Sequence, residues 1–111
     1  MTDRELLELA AKAAGIRYIK PTVDYSGALG LALCDEHGRI GQDWSPLVDN
    51  GDALRLAVKL CMQVECSKGY QHVSVYGRDG TFSEQHDGID PYAATRRAIV
   101  RAAAEIGKAM P

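Results

Sequence analysis

The stretch Trp44-Ser45-Pro46-Leu47-Val48-Asp49-Asn50-Gly51-Asp52-Ala53-Leu54-Arg55-Leu56-Ala57-Val58-Lys59-Leu60-Cys61-Met62-Gln63-Val64-Glu65-Cys66 decides how the chain is read. Its first residues are extended, because the residue before a proline is pushed out of the α region. Asp49, Asn50 and Asp52 carry short side chains that accept from the free N–H groups of a helix start. From Ala53 to Val64 the only charged residues are Arg55 and Lys59, four apart and so on one narrow stripe. A helix apolar on nearly every other side is buried on more than one face. This predicts a central helix continuing to Val64, the most buried element, with Leu54, Ala57 and Cys61 turned inward.

Upstream, Thr2 and Glu5 form a capping box. Leu6, Leu9, Ala10 and Ala13 then make one helical face, which Leu7 and Ala14 widen. Gly15 stops that helix by taking the left-handed conformation. A short strand is expected over Ile16 to Lys20, limited by Pro21, with a loop from Thr22 to Gly27. Leu29 to Cys34 alternates large and small, the period of a strand. Asp35 to Arg39 is a turn and Ile40 to Trp44 a weak returning strand.

Downstream, Ser67-Lys68-Gly69 breaks the chain, and His72 to Tyr76 is a strand by β-branched content and alternation. Gly77-Arg78-Asp79-Gly80 is a hairpin turn, since Asp-Gly supplies the positive φ it needs. Thr81 to Gln85 returns as a polar strand exposed on one face. Asp90-Pro91 opens the last helix with a cap and a first-turn proline. That helix turns Tyr92, Ile99, Ala103 and Ile106 inward and places Arg97, Arg101 and Lys108 on another face. The expected fold is α+β: an antiparallel sheet of about four strands packed with three helices, in the order αββαββα.

The chain has 111 residues, 46 % of them hydrophobic, which suits one domain over residues 1–111. A net charge of −2 and a pI near 5.9 exclude a wholesale basic nucleic-acid binder. The charge is unevenly spread. Asp35 to Asp52 holds five acids against one base, a local −4, and Pro91 to Lys108 four bases against one acid, a local +3. Such a division serves solubility, self-association or a partner. No apolar run approaches the ~20 residues that span a bilayer. The charged opening is unlike a secretory leader, and three cysteines with no CxxC fit a reducing compartment. A cytoplasmic protein is expected.

Trp44-Ser45-Pro46-Leu47, followed by the Asn50 to Val58 helix start and by Asp90-Pro91 leading into Ala94 to Ala103, resembles the phage ABA sandwich domain family of small phage and prophage proteins. The resemblance covers residues 40–108. It implies a helix–sheet–helix layering and no reaction, so no catalytic residue is carried over from it.

The chemistry-bearing residues have structural explanations. His37, His72 and His86 lack the spacing of a metal site. Cys61 and Cys66 lie roughly 140° apart on a continued helix, poor for a shared ligand or a disulfide, and core packing is expected of the cysteines. Asp49, Asp52, Asp87 and Asp90 precede helices, where acids cap. Arg101 is positioned to pair with Glu105 one turn on. No catalytic residue, cofactor or metal is expected. Four residues are candidates for contacting a partner: Trp44, Arg96, Arg97 and Arg101. Trp44 either clamps the central helix on the sheet, the favoured role, or offers an aromatic surface. The expected function is a non-catalytic binding module acting on a host or phage protein, with a homodimer through Thr81 to Gln85 as one form. The competing readings are a small-molecule or nucleotide sponge, in which Arg96 or Arg97 holds a phosphate, and a small hydrolase using His86, Asp87 and an acid near Trp44.

Overall fold

A computed structural model describes residues 2–23, 29–34, 40–67, 71–78, 80–86 and 90–111. The chain is an α+β fold, with three helices among the described residues. Its order is α1 (Asp3–Ala14), β1 (Tyr18–Val23), β2 (Leu29–Cys34), β3 (Ile40–Trp44), α2 (Asn50–Lys59), β4 (Gln63–Ser67), β5 (His72–Gly77), β6 (Gly80–Gln85) and α3 (Pro91–Ala109). The strands form two antiparallel three-stranded sheets, β1-β2-β3 and β4-β5-β6, rather than one sheet of about four. The hairpin-then-helix unit of the sequence is a three-strand meander in each half.

The strand expected over Ile16 to Lys20 runs instead from Tyr18 to Val23, past its expected limit at Pro21, and β4 is new; both differences have local causes. β1 passes through Pro21, which pairs with Leu31 on the edge of its sheet, where a missing N–H is tolerated. β4 takes the residues expected to prolong the central helix, because α2 stops early. The Met62 N–H donates to the Ala57 carbonyl at 2.9 Å and the Cys61 N–H to the Val58 carbonyl at 3.2 Å. Between them Cys61 adopts φ +54. This is the pattern that ends α1 at Gly15, whose φ is +68, except that here a cysteine takes the left-handed position. The stop is invisible in a sequence that places no glycine there.

The start of α2 is as expected. Asp49 accepts from the Asp52 N–H at 2.8 Å. The buried Asp52 carboxylate then accepts from the Ser45 N–H at 2.9 Å and from Arg55 at 2.6 Å, fixing the Trp44–Pro46 entry to the helix. Trp44 is only 5 % exposed and pairs with Leu31 on β2, so the expected clamp is a core side chain.

The helix that buries the most residues is α3, not α2. Ala98, Ile99, Val100, Ala102, Ala103, Ala104 and Ile106 are all buried on it. α2 buries Ala53, Leu56 and Ala57 and leaves Leu54 63 % exposed, with Cys61 beyond its end exposed too. Tyr92, expected inward, is exposed at the start of α3.

α1 packs on β2 and on α3, while α3 carries β4, β5, β6 and α2. The two sheets are therefore linked through the helices, β1-β2-β3 through α1 and β4-β5-β6 through α3. α1 and α3 run in the same direction, shown by three contacts in step. Asp3 meets Arg97, Leu9 lies against Gly107, and Lys12 donates to the Met110 carbonyl at 3.0 Å. Alanines at 10, 11, 102 and 103 allow this approach, and a Cβ on Gly107 would overlap the Leu9 carbonyl. No helix of the described residues is long and apolar enough to cross a membrane.

The packing fixes the sign of two substitutions. Gly107→Ala, which helix propensity alone favours by about 1 kcal/mol, is expected to destabilise by about 1–3 kcal/mol through overpacking. Cys61→Gly is expected to stabilise by up to about 1 kcal/mol, since a left-handed residue with a Cβ costs ~1–2 kcal/mol. Urea midpoints measured at constant m-value check both.

Candidate functional site

The four residues singled out in the sequence do not come together. Trp44 is in the core, so it offers no aromatic surface. On sheet β4-β5-β6 the side chains at Val73, Val75, Phe82 and Glu84 share the face toward α3, by the register Val73↔Glu84 and Val75↔Phe82. That register brings Glu84 under the arginines of α3. Arg101 donates to Glu84 at 2.7 Å and to the Ser83 carbonyl at 3.3 Å, and its guanidinium lies 5.7 Å from the centre of the Phe82 ring. Arg97 reaches Asp3 at 3.0 Å and Glu84 at 3.8 Å. Arg101 therefore pairs across to the sheet rather than with Glu105. These two arginines tie α3 to α1 and β6.

Arg96 points elsewhere. It donates to the Leu47 carbonyl at 2.9 Å and to the Asn50 side-chain oxygen at 2.7 Å, holding the start of α2 against α3. Among the described residues both its partners are neutral, so its charge is not cancelled by a carboxylate.

Beside Arg96 lies a groove of about 500 Å³ between α2, β4 and the first turns of α3. Ala53 and Leu54 form its α2 wall, Val64 and Cys66 its β4 wall, and Ile99 its α3 side, with Tyr92 at the mouth. Ala53 and Ile99 are buried at its base, while Leu54, Val64 and Tyr92 face solvent. Tyr92 is 66 % exposed and Val64 36 %, and Val58 continues the apolar strip on α2 at 69 %. The Cys66 thiol lies 3.9 Å from the Thr95 hydroxyl, which itself donates to the Pro91 carbonyl at 2.7 Å. Cys61 and Cys66 are both exposed free thiols, contrary to the core packing expected of them. The side chain of Cys34 lies outside the described residues, as do His37, Asp35 and Asp87. A second hollow, of about 530 Å³, lies at the other end of β4 between Lys59, Gln63, Tyr76 and Arg78.

The possible acid–base residues do not converge. Asp49 and Asp90 each accept a backbone N–H as caps, Asp90 from Ala93 at 2.9 Å, and Asp52 is engaged at both oxygens. His86 donates its N–H to the Gln71 carbonyl at 2.9 Å, at the end of the β5–β6 hairpin. Among the described residues no three His, Cys, Asp or Glu side chains are grouped to hold a metal ion. What the surface offers is therefore an apolar recess with one cation at its rim. Sequence reasoning weighed Arg96 but missed Leu54 and Tyr92, which it turned inward, and Val64, which it kept on the central helix.

Glu84→Gln is expected to lower stability by about 1 kcal/mol, because one carboxylate serves two arginines. Asp3→Asn is expected to change it by less than about 0.5 kcal/mol. Denaturation at low and high salt checks this, and the Glu84 effect should shrink as salt rises. No family model, no curated protein and no solved structure matches the chain.

Proposed function

We propose that this chain is a non-catalytic binding module that engages a protein partner through the groove between α2, β4 and α3. The observation that carries the reading is the clustering of Leu54, Val64 and Tyr92, exposed around one recess. Single exposed apolar residues are ordinary, but contiguous ones rimmed by polar groups mark interaction sites. Leu54 and Tyr92 are tolerated at little cost in stability only because neither belongs to the core. A large aromatic at the mouth of a pocket is also the residue type that dominates binding energy.

The sequence motif from Trp44 to Val58 favours a phage or prophage protein acting in the host cytoplasm on a host or phage component. A homodimer through Thr81 to Gln85, on the edge strand β6, belongs to the same proposal. A second reading has its own support: Arg96 opens on the groove with only neutral partners, and the volume suits a small molecule. In that case a small-molecule or nucleotide ligand takes the groove.

The test is capture from infected-host lysate combined with native mass spectrometry of the purified protein. Leu54→Asp with Tyr92→Ser is expected to abolish capture of the partner at unchanged melting temperature, as surface substitutions shift stability by only about 0.5 kcal/mol. Capture that is indifferent to both substitutions refutes the groove. A co-purifying small-molecule mass that disappears in Arg96→Ala favours the second reading instead.

A further inference from the structure

β4 is an edge strand and also a wall of the groove. β5 pairs with its inner edge, and no strand of the described residues pairs with its outer one. Every residue from Gln63 to Cys66 is exposed. Alternation sends Val64 and Cys66 to the α3 side, while Glu65, opposite Ser74, lies on the other face. Among the described residues, the strand thus presents backbone N–H and C=O groups that no other strand takes, along one border of an apolar recess. Leu54 on α2 forms the opposite border. Edge strands are usually blunted by charge, proline or a covering element. The single charge on β4 points away from the recess, and the sequence of β4 contains no proline.

We infer that the groove takes an extended peptide segment of a partner protein, added as a fourth strand to β4. Its alternate apolar side chains insert between Leu54 and Val64, and an acidic residue meets Arg96. This rests on the groove reading above and specifies its occupant. Three features select that occupant. The free edge supplies main-chain hydrogen bonds, the source of affinity in strand addition, while the recess reads alternate side chains. A second copy pairing β4 with β4 antiparallel about its middle residue would oppose Glu65 with Glu65, which is unfavourable. Arg96, whose partners are neutral, supplies the charge complement for a carboxylate.

The experiment selects a yeast-displayed library of random seven-residue peptides against the full chain. The best peptide is then measured by fluorescence anisotropy and by amide hydrogen exchange. The expected winners alternate apolar and polar residues and carry Asp or Glu at one end. Their binding should slow exchange across Gln63–Ser67 and weaken about tenfold or more on N-methylation of alternate amides. Arg96→Gln should cost about tenfold and erase the acid preference, while Arg96→Lys, which keeps the charge, should retain the preference even if affinity falls. Comparing the two variants separates charge from any loosening of the Leu47 contact. Winners with helical i, i+3, i+4 spacing and no change in β4 exchange would overturn strand addition while leaving the groove reading intact. No selection at all, or winners indifferent to Leu54→Asp, would sink both. Concentration-dependent dimerisation that protects Gln63–Ser67 and excludes the peptide would assign the edge to a second copy and overturn the proposal.

Discussion

The close approach of α1 and α3 is the constraint on which the remaining structure depends. Sheet β1-β2-β3 is held through α1, and sheet β4-β5-β6 through α3. The two halves therefore meet at a seam of alanines and Gly107, where side chains are small enough for backbone to meet backbone. Small residues contribute little transfer free energy each, so the seam is stabilised by dense contact rather than by bulk. The larger apolar groups, Leu7, Leu31, Val73, Val75 and Ile106, are placed around it. Two parallel helices also align their dipoles unfavourably. Lys12 of α1, donating to the last turn of α3, offsets part of that at the negative end.

That seam also decides what the charges do. In the sequence, Pro91 to Lys108 carries a local +3 and reads as a basic face. In the fold, Arg97 and Arg101 lie over Asp3 and Glu84, so the positive charge is largely matched within the chain. A separation of charge along a chain is thus not a separation in space. Arg96 differs from its neighbour by about 100° around the helix. That rotation alone moves it from the carboxylates of α1 and β6 to the neutral start of α2. A cation at the edge of an apolar recess and two structural cations share one helix.

Much of the fold was legible because its signals are local. The Thr2–Glu5 cap, Gly15, the Gly77–Gly80 turn and Asp90-Pro91 each act within a few residues, and each marks the end of an element as expected. The central helix failed where a local signal was missing. Met62, Val64 and Cys66 continue an apolar run, and only the left-handed turn at Cys61 redirects them into a strand. The rank of α3 was hidden differently, because alanine is a weak marker of burial compared with leucine. Leu54 then sits outside although Ala57 is inside, the reverse of what side-chain size suggests. The groove could not be read from sequence at all, since it exists only where β4 departs from α2. Arg96, Arg97 and Arg101 are equivalent until tertiary contacts distinguish them.

The early end of α2 therefore links the fold to the groove. Had the helix run on to Val64, Leu54 and Val58 would need a covering layer or would leave a bare apolar cylinder. Ending at Lys59 turns the chain back as an edge strand, and the apolar face of α2 becomes one wall of a recess. Nothing in the core requires Leu54, Val64 or Tyr92 to be apolar, because none of them is buried. A polar residue at any of the three would leave α1, α3 and both sheets packed as they are. Their hydrophobic character carries an aggregation hazard beside an open strand edge. A hazard that folding does not require is what the binding proposed for the recess would account for.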